Sequence, residues 1–296
     1  MMTGYVYSLL KDISENYRGE ELKTLYFGGG TPSLLPVELL EKIIKPFIFS
    51  KDYEFTLEIN PDDRDLDYFK QLKSLGVNRL SIGSQTFDDK ILKLIGRRHN
   101  SEQITEAVNL AKEAGFENIS VDLIYGLPTQ TMDCLKKDLE KFLSLDIQHI
   151  STYGLKIEEE SFWGKCYNRE TNLLITSDTD QIYLPLDDEQ ADMYEVVNDV
   201  LEANGFYRYE VSNFAKDGFE SRHNLNYWNN NEYYGFGAAA HGYVDGVRYS
   251  NYTSLEEYMA KPHIHECGRT LSMQEKLEEE IFLGFRKRSG VNVSEI

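Results

Sequence analysis

Apolar runs alternate with amphipathic stretches along the first half of this sequence, and this alternation constrains the fold more than any single residue does. Strands that alternate with helices pair in parallel and form repeated βα units. Strands are predicted at residues 22–27, 54–59, 79–82, 119–124 and 149–153. Helices are predicted at about residues 1–16, 36–45, 66–75, 88–94, 101–114 and 131–145. Thr131 is a predicted helix cap, and Gly76 and Gly115 stand at predicted helix ends.

Three consecutive glycines, Gly28 to Gly30, directly follow the first predicted strand. Glycine has no Cβ atom, so it accepts positive φ angles and lets a ligand approach the bare backbone. A tight turn from strand to helix is the alternative explanation, but one glycine would be enough for it. We therefore favour a ligand-binding loop at the carboxyl end of this strand, although a glycine cluster is a weak motif by itself.

The charge of the 296-residue chain argues against some classes of partner. Aspartate and glutamate number 50 against 31 lysines and arginines, which gives a formal net charge of −19. This surplus repels phosphate backbones and anionic lipid, so we do not expect nonspecific nucleic-acid binding. No apolar run approaches the ~18 residues that an integral membrane segment requires, and no signal-peptide pattern is present. We expect a cytoplasmic location, with any membrane association made through a partner.

The three cysteines, Cys134, Cys166 and Cys267, are separated by 32 and 101 residues. This odd and scattered set fits neither a disulfide framework nor a closely spaced metal site. Cys134 is predicted in the first turn of a helix, and the other two are predicted in polar loops. We therefore expect three ordinary thiols.

The βα repeat ends after residue 153. A polar loop is predicted through Thr179, followed by a helix at about residues 188–204 and a short strand at 206–211. Residues 223–246 are rich in asparagine, tyrosine and glycine. We therefore expect a barrel domain at residues 1–155 and a smaller α+β subdomain at residues 156–296.

Polar side chains occur at or just beyond the ends of the predicted strands, where parallel barrels bind their ligands. They are Glu58, Gln85, Arg97 and Asp122. A carboxylate within an apolar strand is costly unless it is paired, so Asp122 needs a cation or a ligand hydroxyl nearby. A structural carboxylate at Asp122 and a solvated pair at Arg97 and Arg98 are the alternatives. In one shared site, the guanidinium suits a ligand carboxylate and the two acids suit ribose hydroxyls.

Several motifs, taken in order, resemble one known family. They are the glycine segment with Thr31-Pro32, Glu58-Ile59-Asn60-Pro61, the segment from Asn78 to Phe87, and Asp122-Leu123-Ile124-Tyr125-Gly126-Leu127-Pro128. Together they look like the oxygen-independent coproporphyrinogen oxidase group of radical S-adenosylmethionine proteins. The match runs in order over nearly the whole chain, which makes it far more specific than the glycines alone.

The resemblance implies an incomplete (β/α)6 barrel, that is, a partial TIM barrel without its first strand, followed by a small α+β subdomain. It also implies S-adenosylmethionine and a [4Fe-4S] cluster as cofactors. Carried over by motif, Gly28 and Gly29 contact the methionine end of S-adenosylmethionine, and Arg97 pairs with its carboxylate. The implied contacts with the ribose or the adjoining polar part are Glu58, Gln85 and Asp122, and the implied backbone contact with the adenine is Gly154.

A segment of the second half distinguishes two branches of this group. His223-Asn224 followed by Tyr227-Trp228 is similar to the heme-binding signature of HemW-type heme chaperones, which hand heme to respiratory proteins. A neutral imidazole at His223 can bind heme iron, and the two aromatic rings offer flat apolar surface to a macrocycle. A histidine hydrogen-bonded in a polar loop is the alternative. His241 is a weaker ligand candidate, since close backbone packing explains its small neighbours.

One departure from the group concerns the cluster. Members carry three cysteines as CxxxCxxC on the loop after the first strand, and the thiolates hold three irons. This sequence has no such motif, and the missing first strand would precede the same loop. We therefore expect a truncated chain that lacks the cluster cysteines and does not carry out radical chemistry by the family's route.

Three functional hypotheses follow from these residues. The favoured one is a heme-binding chaperone that delivers heme to respiratory proteins. The alternative is an oxygen-independent coproporphyrinogen III oxidase, which decarboxylates porphyrinogen side chains oxidatively in porphyrin biosynthesis. A barrel hydrolase that uses Glu58 and Asp122 as paired carboxylates is the least favoured, because it leaves the order of the motifs unexplained.

Overall fold

The computed structural model describes residues 2–62, 65–168, 170–175 and 181–292. Its helices and strands, in chain order, are α1 (Met2–Asn16), β1 (Glu21–Phe27), α2 (Val37–Ile44), β2 (Ile48–Ile59), α3 (Leu66–Ser74), β3 (Arg79–Gln85), α4 (Asp89–Leu94), α5 (Ser101–Glu113), β4 (Ile119–Tyr125), α6 (Met132–Ser144), β5 (His149–Gly154), α7 (Phe162–Cys166), β6 (Tyr167–Asn168), β7 (Leu173–Ile175), β8 (Gln181–Tyr183), α8 (Asp187–Ala203), β9 (Tyr207–Arg208), β10 (Asn213–Ala215), α9 (Arg222–Trp228), β11 (His241–Val244), β12 (Val247–Ser250), α10 (Leu255–Ala260), β13 (Cys267–Thr270) and α11 (Met273–Gly284). A short 3-10 helix, Pro32–Leu34, follows β1.

The alternation predicted for the first half of the chain is confirmed. Each of the five predicted strands lies within an observed strand, and Thr131 caps α6 by accepting the Cys134 N–H at 3.2 Å. Gly76 and Gly115 adopt φ angles of 92° and 88° at the ends of their helices. β2 begins at Ile48, earlier than predicted, because its first half is largely exposed and lacks the apolar run that marks a buried strand.

The second half contains more regular structure than the sequence predicted. The region expected to be a polar loop forms α7 and a three-stranded antiparallel sheet of β6, β7 and β8. Residues 176–180 of that predicted loop lie outside the described residues. Cys166 ends α7 and Cys267 begins β13, so the prediction of two loop cysteines was wrong. These elements are short, and strands of two to four residues carry too little periodicity to be recognised.

The described chain divides into two units. The first comprises Met1–Leu57, Ser74–Val77 and Ser221–Ile296, and the second comprises Glu58–Lys73 and Asn78–Glu220. Both units take segments from either side of residue 155. The predicted boundary between a barrel domain and a subdomain at that residue stays a prediction.

In the first unit, β1 and β2 pair in parallel, with Thr24 opposite Glu54 and Tyr26 opposite Thr56. α1 packs on α2, and its apolar positions join a buried cluster formed by Val6, Ile13, Ile43 and Phe47. Each such side chain contributes about 1.5–3 kcal/mol when it is fully buried. A second sheet of this unit is antiparallel, in the order β11-β12-β13.

Asp12 of α1 is a completely buried carboxylate in the first unit. It accepts hydrogen bonds from Asn16 Nδ2 at 2.9 Å, from the Gly237 N–H at 3.2 Å, from Asn251 Nδ2 at 3.3 Å and from the Tyr258 hydroxyl at 2.8 Å. Burial raises the pKa of Asp12, and the bonds from Asn16 and Tyr258 oppose that rise. One side chain thus ties α1 to three positions near the other end of the chain.

Replacing Asp12 by alanine should lower the free energy of unfolding by about 2–4 kcal/mol. The substitution leaves the Gly237 N–H and the Tyr258 hydroxyl buried without their acceptor. Urea denaturation measures the change, and Asn16→Ala is the matched control because it removes only one partly buried donor to the same carboxylate. A loss below 0.5 kcal/mol in Asp12→Ala would show that the network contributes little, since surface substitutions change stability by about that amount.

In the second unit, β3, β4 and β5 are parallel, β10 pairs antiparallel with β5, and β9 pairs antiparallel with β10. α8 packs on β4, β5 and α6. Leu80, Ile82, Val121, Leu123 and Ile150 are completely buried in these strands. The parallel order predicted from the βα repeats is confirmed for these strands, and it brings the carboxyl ends of β3, β4 and β5 together.

No helix in the described part of the chain combines the length and the apolar character needed to cross a membrane.

Candidate functional site

The predicted polar residues of the second unit lie at or beside strand ends. Glu58 precedes the last residue of β2, Gln85 ends β3, and Asp122 lies within β4. The register between β3 and β4 sets Gln85 opposite Leu123, the residue after Asp122. Arg97 lies in the segment between α4 and α5. β2 and β3 therefore contribute a polar side chain near their carboxyl ends, and β4 contributes Asp122 from its middle.

Gly83 of β3 marks the point where several of these side chains converge. A Cβ atom at this position would lie 3.2 Å from Gln85 Nε2, 3.7 Å from Asn60 Oδ1 and 3.9 Å from Arg97 Nη1. An alanine here would press only on the end of the Gln85 side chain and would touch Asn60 and Arg97 at ordinary contact distances. Sequence reasoning did not assign Gly83 or Asn60 to the site, although both stand inside the motifs that carried the family resemblance. The structure thus brings Gln85, Asn60 and Arg97 together over one stretch of bare backbone.

Gln85 adopts a left-handed conformation, and a buried carboxylate from α6 holds the two residues after it. Gln85 has a φ of 70°, a left-handed conformation that costs a non-glycine residue of the order of 1 kcal/mol. The following residues are held by Asp138, which accepts the Thr86 hydroxyl at 2.6 Å and the Phe87 N–H at 2.7 Å. Burial raises the pKa of Asp138 to about 6, and the Thr86 and Phe87 bonds oppose that rise. Asp138 was missed from the sequence because a helix residue 51 positions from Phe87 gives no local signal of this contact.

Asp122 is partly exposed, yet it lies deep enough in the sheet for its ionisation to be unfavourable. Desolvation, and then the negative charge of Glu58, raise the pKa of Asp122 to about 6. A hydrogen bond from Ser151 and the positive charges of Arg79 and Arg97 oppose that rise. Burial also lowers the pKa of Arg97, although Asp122 opposes it. The cluster therefore contains two interacting carboxylates and a guanidinium, which can bind hydroxyl groups and a ligand carboxylate.

Gly154 ends β5 and is exposed. A Cβ atom here would lie 3.1 Å from the hydroxyl oxygen of Tyr125, and the Tyr125 carbonyl accepts the N–H of Leu155 at 2.9 Å. The backbone at Gly154 is therefore bare on one face, and contact with the Tyr125 ring leaves little room for a side chain.

The glycine loop after β1 belongs to the first unit. Gly29 and Gly30 adopt φ angles of 70° and 61°, and Thr31 follows with a φ of 65°. The positive φ angles expected for the glycine loop are confirmed for Gly29 and Gly30 but not for Gly28, and all three glycines are exposed. The contacts of Gly28 and Gly29 with a ligand stay a prediction.

The histidine segment of the first unit forms α9, a helix capped by Ser221. Its first N–H groups are bound by Glu54, a buried residue of β2 that accepts from the Arg222 N–H and the His223 N–H at 3.0 Å each. Glu54 thus supplies negative charge where the unpaired N–H groups of a helix need it. His223 therefore lies on a helix that is anchored to β2 and not in a polar loop, but its ring is hydrogen-bonded, as that alternative supposed.

Both ring nitrogens of His223 have hydrogen-bond partners. Nδ1 lies 2.9 Å from the Thr24 hydroxyl, and Nε2 lies 2.9 Å from the Tyr227 hydroxyl one helical turn away. The imidazole also stacks on the ring of Tyr26, with 5.0 Å between centroids and an interplanar angle of 21°. A metal ion can bind His223 only after one of these two hydrogen bonds is given up.

The two aromatic residues of the same motif have different surroundings. Tyr227 packs edge-on against Tyr233 with ring centroids 4.5 Å apart, and burial raises the pKa of its phenol to about 12. The ring of Trp228 is covered by the guanidinium of Arg286 at 4.4 Å. Its indole N–H is buried and has no hydrogen-bond partner within the described residues. His223 and Tyr227 are thus in direct contact, while Trp228 packs separately.

His241 does not share the surroundings of His223. It begins β11 and is exposed. A Cβ atom at Gly235 would lie 1.9 Å from the carbonyl oxygen of His241, so the backbones pack too closely for a larger residue. Close backbone packing thus accounts for Gly235, and a Cβ at Gly242 would meet the ring of Tyr249. The explanation for the three alanines before His241 stays a prediction.

Comparison with known proteins identifies the family. The Radical SAM superfamily profile matches residues 7–142. A heme chaperone HemW of Lactococcus lactis is 43% identical over 306 aligned positions, which cover 99% of this chain and 77% of that protein. A heme chaperone HemW of Bacillus subtilis is 42% identical, covering 92% of this chain and 72% of that protein. This chain belongs to the HemW family of radical SAM proteins.

A solved structure supports the fold of this HemW-family chain. Coproporphyrinogen III oxidase (HemN) of Escherichia coli, a radical SAM enzyme, aligns with 96% of this chain and 68% of its own at a TM-score of 0.82. At 22% sequence identity the likeness bears on the fold alone. It confirms the predicted α/β class, a radical-SAM-type partial barrel with smaller sheets.

Membership of the radical SAM superfamily implies S-adenosylmethionine and a [4Fe-4S] cluster. The residues of this HemW-family chain suit the first of these cofactors but not the second. Arg97, Asp122 and their neighbours offer the donors and acceptors that S-adenosylmethionine needs. The cysteines do not fit a cluster: burial raises the pKa of the Cys134 thiol to about 12, and its Sγ lies 3.6 Å from Asp88 Oδ2. No group of three or more potential metal ligands occurs in the part of the chain that the structure describes. No radical step can be assigned to these residues.

Replacing Glu58 by glutamine should lower the pKa of Asp122 below its value of about 6, because the charge of Glu58 is the second largest cause of the rise. Replacing Ser151 by alanine should shift the same pKa upward, since the hydroxyl stabilises the carboxylate. Carboxyl ¹³C chemical shifts followed against pH measure both changes. Equal Asp122 titrations in wild type and Glu58→Gln would mean that the two carboxylates do not interact.

Proposed function

We propose that this chain binds heme and acts as a heme chaperone that passes heme to respiratory proteins. The support is its relationship to curated heme chaperones together with the aromatic and histidine side chains of α9. The observation that carries the proposal is the position of the His223 imidazole, which lies between the rings of Tyr26 and Tyr227. The oxidase alternative has support from fold alone.

The proposed heme contact uses His223 as the iron ligand. Imidazole is the common protein ligand of heme iron, and aromatic side chains provide apolar area for the porphyrin. Tyr227 and Trp228 are the proposed porphyrin contacts. The nearby cavity at the C-terminal end of α9, of about 680 Å³, is a poor alternative, because it is lined mainly by polar residues: Asn229, Asn231, Glu280, Lys287, Ser289, Gly290, Val291 and Asn292.

We further propose that the polar cluster of the second unit binds S-adenosylmethionine. Arg97 would pair with the carboxylate of S-adenosylmethionine. Its hydroxyl groups would form hydrogen bonds with Glu58, Gln85 and Asp122. The backbone of Gly154 would contact the adenine. The support is the convergence of the polar groups over Gly83. The cofactor supplies radical chemistry when it binds together with a cluster; these residues bind and orient it.

Replacing His223 by alanine should weaken hemin binding at least about tenfold, because it removes the proposed iron ligand. Titration of hemin followed in the Soret region measures the affinity and the change of spectrum. His263→Ala is the matched control, since His263 is an exposed histidine of the same unit and is not a ligand candidate. Circular dichroism shows whether each variant is folded. The same affinity and Soret spectrum in wild type and His223→Ala would remove His223 from the heme site.

Replacing Arg97 by glutamine should weaken S-adenosylmethionine binding about 10- to 100-fold, the effect of losing a charge-assisted hydrogen bond. Arg98→Gln is the matched control, because Arg98 is an exposed neighbour that pairs with Asp62 at 3.2 Å. Isothermal titration calorimetry measures both affinities. No heat of binding to the wild type, or equal affinities in the two variants, would contradict the proposed site.

The same binding should strengthen as the pH rises from 5 to 7. Asp122 has a raised pKa of about 6, so it becomes ionised over this range and then accepts hydroxyl hydrogen bonds with full negative charge. Asp122→Asn should remove this pH dependence and leave weaker binding throughout. A wild-type affinity that stays constant from pH 5 to 7 would exclude Asp122 from the contact.

A further inference from the structure

The Thr24 hydroxyl of β1 and the Tyr227 hydroxyl of α9 occupy the two ring nitrogens of His223. We propose that Thr24 is a positioning residue that holds the proton of His223 on Nδ1, and that Tyr227 covers Nε2 until heme iron replaces its hydroxyl. This inference rests on the proposed function, since it deepens the account of the heme contact.

The chemistry of the two hydroxyls favours one tautomer. A neutral imidazole has one N–H and one bare nitrogen, and only the bare nitrogen can bind a metal. A phenol is more acidic than an aliphatic alcohol, so it is the better donor, and the alcohol is the better acceptor. Tyr227 therefore donates to Nε2, and Nδ1–H donates to Thr24.

The β1–β2 register explains why the Thr24 side of the ring is fixed. Thr24 stands opposite Glu54, and Tyr26 lies two residues further along β1, on the same face of the strand as Thr24. Thr24 binds the ring, Tyr26 stacks on it, and Glu54 binds the backbone N–H of His223. Ring and main chain are thus attached to two paired strands, independently of Tyr227.

The Tyr227 side of the ring is bound from within α9, by a side chain that also packs against Tyr233. Tyr227 is four residues after His223, so its hydroxyl reaches Nε2 across one helical turn. Displacing Tyr227 from Nε2 requires its ring to shift against Tyr233, and it leaves the contacts of His223 with Thr24 and Glu54 in place. Of the two nitrogens, Nε2 is therefore the one that iron can reach, and the Thr24 bond survives heme binding. A hydrogen bond at the opposite nitrogen orients a metal-bound imidazole and raises its basicity.

The heme-free protein provides the first test. ¹⁵N chemical shifts of the His223 ring should show the Nδ1–H tautomer in wild type and in Thr24→Ser, which keeps the hydroxyl. Thr24→Val, which has the same shape without the hydroxyl, should shift the population toward the Nε2–H tautomer. An unchanged tautomer in Thr24→Val would overturn the role of Thr24, whether or not the protein binds heme.

Hemin provides the second test. Thr24→Val should lower the Fe–His stretching frequency of the ferrous heme complex in resonance Raman spectra and weaken binding about 10-fold, and Thr24→Ser should restore both. Tyr227→Phe keeps the ring but removes the competing hydroxyl, so it should bind hemin about 3- to 10-fold more tightly. Weaker binding by Tyr227→Phe would overturn the covering role. Thermal unfolding of each variant separates these effects from a loss of folding.

Failure of this inference is distinguishable from failure of the proposed function. In one outcome, His223→Ala loses hemin binding, while Thr24→Val and Tyr227→Phe keep the wild-type Fe–His stretching frequency and hemin affinity. This outcome would support the heme contact at His223 and overturn the roles proposed for Thr24 and Tyr227. Hemin affinity that is the same in wild type and His223→Ala would overturn the heme contact, and with it the covering role of Tyr227.

Discussion

A carboxylate buried in a protein must be surrounded by hydrogen-bond donors, and this constraint organises both units of the chain. Asp12 accepts hydrogen bonds from residues that lie 225 to 246 positions later in the sequence. Glu54 accepts hydrogen bonds from the first N–H groups of α9, which lie 168 and 169 positions later. Asp138 holds the turn after β3 through Thr86 and Phe87. Each carboxylate joins segments that are distant in sequence, because its own element supplies at most part of the donors that it needs.

The two proposed ligand sites use different parts of the sequence. The radical SAM profile ends at residue 142, and the polar cluster around Gly83 and Asp122 lies inside it. The histidine segment lies beyond it, on α9, in the other unit. The proposed S-adenosylmethionine site and the proposed heme contact therefore belong to different units of the chain. The cysteines present do not form a cluster site, so the heme proposal depends on α9 and not on the radical SAM motifs.

Much of the fold could be predicted from the sequence, and less of the site. The five strands of the first half and the cap at Thr131 follow from local patterns of apolar and capping residues. The short strands β6 to β8 do not, because elements of two or three residues show no period. The polar residues at strand ends were found because parallel strands end together. Thr24 and Asp138 were missed, because neither has an unusual residue type or position in its own element.

The sequence by itself determined the α/β class, the order of the βα units and the family, since each depends on local periodicity or on motifs that can be read in order. Only the tertiary structure decided which groups meet. It placed Thr24 and Glu54 side by side under His223, through the register of two strands and the packing of a helix almost 200 residues later. Such contacts depend on how distant segments pack, and a linear pattern of residue types does not record that packing.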